Sequence, residues 1–138
     1  MSLLTEHTDV TRVNTARLRA NAVEAAEQST RLNVPMVDEP VDLAHLLDHW
    51  DPARRIILCA ETGKAEPVPA ALSRVRPGGA WAVLTGPEGG FNQSELDGLV
   101  KLPFVTPVRL GPRILRADTA VAAVLVCWQN HLGDWSEE

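Results

Sequence analysis

AWAVLTGPEGGFNQSEL (80–96) reads as a buried strand, a glycine-rich bend and the first turns of a helix. The run from Ala80 to Leu84 offers no charged side chain to water, as in a parallel strand covered on both faces. Asn92 is a good helix N-cap, and Glu95 stands at the capping-box offset from it, which predicts a helix over NQSELDGLV. Between strand and helix lie Gly86, Pro87, Glu88, Gly89 and Gly90. Glycine admits positive φ and lets a ligand reach backbone N–H and C=O groups with no Cβ in the way. A tight turn that merely needs glycine is the plainer reading of the same residues. The bend is not a Walker loop, since it lacks GK[ST], and its glycines do not fit the dinucleotide fingerprint GxGxxG.

Outward from this bend the same alternation recurs. RRIILCAE (54–61) is a second buried strand, and a short helix follows over about 68–75. FVTPVRLG (104–111) is a third strand, in which Pro107 lacks an N–H and so predicts a sheet edge or an early strand end. ILRADTAVAAVLVCWQNHL (114–132) makes a long helix that stops at Gly133. Nearer the start, an extended lead-in gives way to a helix from the N-cap Asn14 to about Arg31. VPMV (34–37) reads as a short strand, and Asp42 as the cap of a second helix, LAHLLDHW. The pattern predicts one α/β domain over 1–138 with a mainly parallel sheet. Ligands of such sheets bind beyond the carboxyl ends of the strands. The loops CAETG (59–63), TGPEGG (85–90) and LGPRILR (110–116) emerge there.

Composition sets the bounds. The chain has 138 residues, 45% of them hydrophobic, which suits one domain with a real core. A formal net charge of -5 argues against a strongly nucleic-acid-binding surface overall. Local basic clusters remain: Arg12, Arg17, Arg19 and Arg31 around the first helix, and Arg109, Arg113 and Arg116 near the end. No apolar run reaches the roughly 18 residues that span a membrane, and no signal peptide opens the chain, which predicts a cytoplasmic protein. Cys59 and Cys127 lack CxxC spacing and read as reduced, buried thiols. His7, His45, His49 and His131 have no metal-ligand spacing, so no metal is expected.

Two further features bear on function. Arg113 and Arg116, three residues apart, fit one side of a helical turn; they also fit ordinary surface charge. The last helix is apolar on nearly every face, which predicts packing on the sheet on one side and on a partner chain on the other, or a fully internal position. In EAAEQS (24–29), Glu24, Glu27 and Gln28 are either solvated or near the site edge.

EAAEQS, LTGPEGGFNQSEL, RLGPRILRADTA and the closing GDW, in that order, resemble the bacterial 16S ribosomal RNA (uracil-N3) methyltransferases of the SPOUT class over nearly the whole chain. The family usually reads Glu-Thr-Ala where this chain has Asp118-Thr119-Ala120, and often Ser or Thr where it has Asn92. The resemblance implies a C-terminal trefoil knot, S-adenosylmethionine as cofactor, a homodimer, and a 16S ribosomal RNA or small-subunit substrate. It implies a catalytic domain over 1–138 without the family's N-terminal PUA-like β-barrel. The cofactor would lie against Leu84, Thr85, Gly86, Glu88, Gly89 and Gly90, against Leu110, Gly111, Ile114 and Leu115, and against Ala60. Arg116, then Arg113, would stabilise the uracil anion, with Glu88 or Asp118 orienting an arginine or relaying the proton. Ribose 2′-O methylation, a non-catalytic dimeric RNA-binding module and a phosphate-handling enzyme are the rival readings.

Overall fold

Ile56, Ile57 and Leu58 are almost fully removed from water, and they form the centre of the parallel sheet. The computed structural model describes residues 3–4, 13–60, 65–87 and 90–136. It divides into two compact units, Met1–His49 and Trp50–Glu138.

In the first unit, β1 (Leu3–Leu4) pairs in parallel with β2 (Val41–Asp42). Helix α1 (Thr15–Gln28) begins at Asn14, whose side chain accepts from the Arg17 amide at 3.0 Å. It ends earlier than the expected Arg31. Thr30 takes a left-handed φ of 55°, while the amides of Thr30 and Arg31 donate back to the carbonyls of Glu27 and Ala26. VPMV forms no strand; the short strand pairing instead falls at Val41–Asp42. Pro35 has no N–H to donate to a ladder, and Met36 is 86% exposed. The segment is tied down by Arg19, which donates to Val37 O and pairs with Glu39 at 3.1 Å, and by Thr15, which donates to the same carboxylate. Helix α2 (Leu43–Asp48) starts after Asp42 as expected, though the Asp42 side chain makes no capping bond.

The second unit carries the main sheet. Its strands are β3 (Arg55–Cys59), β4 (Glu66–Pro67), β5 (Trp81–Thr85) and β6 (Val105–Arg109), in the order β4–β6–β3–β5, all parallel. Sequence reading missed β4, which is only two residues long and half proline. Pro107 also suggested an edge or an early strand end, whereas β6 lies between β3 and β4 and continues to Arg109. The register explains how proline is tolerated. Phe104 and Val108 accept from β3 amides, so alternate residues, including Pro107, turn their amide positions away from β3. On that other side β4 pairs from Glu66 opposite Val108, so among the described residues no ladder bond is lost at Pro107.

Side chains alternate across the sheet. Ile57 and Val108 join Val68, Ala71 and Leu72 of α3 (Val68–Ser73) and Val124 and Leu132 of α5 (Ala117–Leu132) in one buried cluster. Helix α4 (Gln93–Val100) packs against β6 and buries Leu99. Its Asn92–Glu95 capping box forms as read, with reciprocal bonds of 2.9 and 2.7 Å. Helix α5 stops at Gly133, followed by a 3-10 turn at Asp134–Ser136. Gly133 is extended rather than left-handed; a Cβ there would come 2.8 Å from the Trp128 ring, so space rather than φ demands glycine.

Helix α5 is not internal. Ala120, Val124 and Leu132 are buried, while Val121, Leu125 and Val126 are 36%, 44% and 50% exposed. Among the described residues, no helix is long and apolar enough to cross a membrane.

Candidate functional site

The ladder sets three strand ends level. Cys59 is the register partner of both Thr85 and Val108, so β5, β3 and β6 finish in one row. Neighbouring strands lie about 4.8 Å apart, which puts the three loop origins within roughly 10 Å. The loops that follow are Gly86–Phe91, Ala60 with residues 61–64, and Leu110–Arg116. The structure thus brings together the strand ends from which the three loops singled out in the sequence start. Residues 61–64, Glu88 and Gly89 lie outside the described residues, and with them the expected roles of Glu88 and Gly89.

On the β5 side, Leu84 is buried, and Thr85 and Gly86 are half-buried. Gly90 has φ 69° and donates its amide to Pro87 O at 2.8 Å, closing the bend. At Gly86 a Cβ would lie 3.2 Å from the Phe91 ring and 3.3 Å from the Gly90 Cα. Phe91 therefore shapes the bend from within, a role the sequence reading did not assign; an aromatic directly after a glycine pair was the available signal.

On the β6 side, Leu110 is half-buried and packs on the core. Gly111 turns the chain at φ 106°. Among the described residues, a Cβ at Gly90 or at Gly111 would meet nothing within 4 Å, so neither backbone is covered by them. Ile114 is 77% exposed, an unusual state for so large an apolar side chain, and Leu115 is half-buried. Ala60 is buried, and its amide is taken up by Val108 O at 2.9 Å. That donor is unavailable to a ligand.

The arginines differ from expectation in one respect. Helix α5 starts at Ala117, with Arg116 as its N-cap residue, so Arg113 and Arg116 do not share a helical turn. Arg113 cannot continue the helix inward because Gly111 and Pro112 have already turned the chain. Both side chains are exposed. The Arg116 Nε lies 3.6 Å from Asp118 Oδ1, and Asp118 also accepts from the Thr119 amide at 2.8 Å. Asp118 thus sits in the first turn of α5, where the helix dipole favours negative charge. Its carboxylate pairs loosely with Arg116 from there, both side chains lying open to solvent.

Cys59 ends β3, but alternation turns its thiol onto the face shared with α3 and α5. Burial pushes its pKa up from 9.0 to about 11, so it is no nucleophile. Glu24, Glu27 and Gln28 are exposed on α1. Among the described residues no group of three metal-ligating side chains gathers.

Residues 1–129 of this chain match the family model for the RNA methyltransferase domain. The chain belongs to that family. It is 31% identical over 137 residues to ribosomal RNA small subunit methyltransferase E of Rickettsia conorii, a match covering 99% of this chain and 54% of that protein. The Bacillus subtilis protein of the same name is 35% identical over 103 residues, 72% of this chain and 40% of that one. The chain spans about half the length of the curated relatives it matches. The crystal structure of ribosomal RNA small subunit methyltransferase E from Neisseria gonorrhoeae bound to S-adenosyl methionine superposes with a TM-score of 0.78 at 28% identity. That superposition covers 93% of this chain and 53% of the other.

Proposed function

We propose that this chain is the catalytic portion of an S-adenosylmethionine-dependent methyltransferase that acts on N3 of a uridine in 16S ribosomal RNA. One observation carries the reading: three loops start level at the carboxyl edge of the sheet, and two of them turn open, glycine-exposed backbone outward. A ligand held mainly by main chain suits such bends. The relatives' names and the cofactor in the gonococcal structure support the same reading.

The residues fit that cofactor. Thr85, Gly86 and Gly90 would hold it from the β5 side, and Leu110, Gly111 and Leu115 from the β6 side. Glu88 and Gly89 would, by the family resemblance, also contact it. When bound, the cofactor supplies an electrophilic methyl group. The chain's own task is the acceptor. Uracil N3 carries a proton near neutral pH, and a guanidinium beside the ring lowers the cost of losing it. Arg116 would take that role, with Asp118, 3.6 Å from its Nε, orienting it and Arg113 as a second cation. Positioning of the acceptor base would supply much of the remaining acceleration.

The exposed apolar stripe Val121, Leu125 and Val126 on α5 supports a homodimer. The skipped strand order, with β6 inserted between β3 and β4, supports a C-terminal trefoil knot. A cytoplasmic setting and an RNA-gripping N-terminal barrel in the full-length protein belong to the same proposal.

The test is calorimetry of this chain with S-adenosylmethionine, followed by methyl transfer to 16S ribosomal RNA and mass spectrometry of the nucleosides. Binding and a 3-methyluridine product are expected. A 2′-O-methyl product would replace the base by the ribose as acceptor, and cofactor binding with no transfer would leave only an RNA-binding module.

A further inference from the structure

At the amino edge of the same sheet lies a second cationic surface, built from residues the proposed chemistry does not use. Arg55, the first residue of β3, is the register partner of Trp81, the first residue of β5. The Arg55 guanidinium carbon sits 5.5 Å from the Trp81 ring centroid. That of Arg54 sits 5.6 Å from the Trp50 ring. The indoles are themselves fixed. Trp50 Nε1 donates to Arg54 O at 2.8 Å, and Trp81 Nε1 donates to Gly78 O at 3.4 Å. Arg54 Nε donates to Trp81 O at 3.3 Å, linking the two stacks.

This arrangement differs from ordinary surface charge. Both arginines are exposed, yet both are held in place by stacking, which leaves guanidinium N–H groups at their edges for an acceptor. Among the described residues no carboxylate lies within 4.0 Å of either guanidinium; the salt bridges there involve Arg19, Arg74 and Arg116. Two cations on consecutive residues, each laid over an indole and without a carboxylate partner among the described residues, belong to a chain whose net charge is -5. A planar, fixed guanidinium is the group that best reads phosphate oxygens, and fixing it beforehand reduces the entropy cost of the contact.

We propose that Arg54 and Arg55, stacked on Trp50 and Trp81, form a docking surface for the sugar-phosphate backbone of RNA. The inference rests on the ribosomal RNA reading above and adds a second contact region to it. β3 runs from Arg55 to Cys59, so this surface lies roughly 13 Å from the level strand ends. It would hold RNA that flanks the target uridine rather than the uridine itself. A folded ribosomal RNA is large enough to touch both edges of the sheet.

The experiment measures binding of the dimer-competent chain, and of the full-length protein, to protein-free 16S ribosomal RNA across a salt series. The double variant Arg54→Gln/Arg55→Gln should bind about tenfold or more weakly near 0.1 M salt. Its log–log salt slope should shrink by roughly 1.4 to 1.8, the loss of two phosphate contacts. Affinity for S-adenosylmethionine should stay unchanged. Arg54→Lys/Arg55→Lys keeps both charges and should keep the salt slope. Wild-type affinity and slope in the Gln variant would overturn the proposal. So would equal damage in the Gln and Lys variants, which marks a purely structural stack. A defect seen only on assembled small subunits would also overturn it, transferring the surface to an acidic ribosomal protein. Wild-type RNA binding without methyl transfer would remove the enzymatic reading and leave this surface standing; a wild type that binds no RNA would remove both.

Discussion

The two edges of the parallel sheet hold their arginines in opposite ways. At the amino edge, Arg54 and Arg55 lie over Trp50 and Trp81, whose indoles are hydrogen-bonded to backbone. At the carboxyl edge, the Arg116 side chain is 86% exposed, and its ion pair is with Asp118 at 3.6 Å. One edge is ordered by the protein before anything binds. The other carries its cation on a segment between a left-handed glycine and a helix start, where little packing holds it. A cation that must follow a substrate through a reaction gains from such freedom, whereas one that only grips a backbone gains from rigidity.

Removing the exposed arginine is the sharpest way to break that contrast. Arg116→Ala should lower methyl transfer by about 100-fold or more, the scale for one lost electrostatic stabiliser. Cofactor affinity and thermal stability should barely change, because an exposed side chain contributes little to folding. Single-turnover transfer to 16S ribosomal RNA, beside calorimetry with S-adenosylmethionine, measures both. Turnover at the wild-type level would remove Arg116 from the reaction.

The glycine bends come next in size. Gly111→Val forces a β-branched residue to φ 106°, a strain of about 1–3 kcal/mol. The space around it is open, so the loop can relax only by moving its backbone. The expected result is cofactor affinity at least about tenfold weaker, with the sheet intact by circular dichroism. Unaltered affinity would mean that the β6 loop does not contact the cofactor.

These edges were unequally legible in the sequence. Strands Arg55–Cys59, Trp81–Thr85 and Val105–Arg109 were plain because each is a short apolar run between turn residues. The convergence of their loops followed from the parallel pattern alone. What failed was set by pairing partners. β4 is too short to carry a period, and Pro107 reads as an edge residue until one knows that β4 starts one residue later. The start of α5 was misread because Ile114 and Leu115 continue its apolar pattern, although Gly111 and Pro112 dictate a different backbone. The Arg–Trp stacks escaped notice altogether. Trp50, Arg54, Arg55 and Trp81 meet only when β3 and β5 are placed in register.

A smaller effect separates the buried end of β3 from its exposed start. Burial holds the Cys59 pKa near 11 in the folded protein, against 9.0 for the free thiol. The unfolded chain therefore loses this proton first as pH rises. The associated stability is complete below about pH 9 and is lost as pH climbs towards 11, amounting to at most about 3 kcal/mol. Cys59→Ala should abolish that part of the pH dependence while adding a constant cost from the lost packing. Denaturant melts at pH 7.5 and 10.5 on both proteins give the difference; a pH effect of equal size in the variant would show that Cys59 is not its source.

The capping box offers the finest distinction, because it lies in sequence directly beside the β5 bend yet belongs to the scaffold. Asn92 Oδ1 accepts from the Glu95 amide while Glu95 Oε2 accepts from the Asn92 amide, satisfying two donors at the start of α4. Asn92→Ala removes one of these bonds and loosens the other, at a cost of about 1 kcal/mol. That corresponds to a melting point lower by roughly 3–5 °C for a chain of this size. If the glycine bend is held by β5 and by its own Gly90-to-Pro87 hydrogen bond, cofactor affinity should change less than threefold. If the variant instead loses the cofactor as thoroughly as Gly111→Val, the carboxyl edge is ordered from the helix side, and its contrast with the prefixed amino edge becomes one of degree.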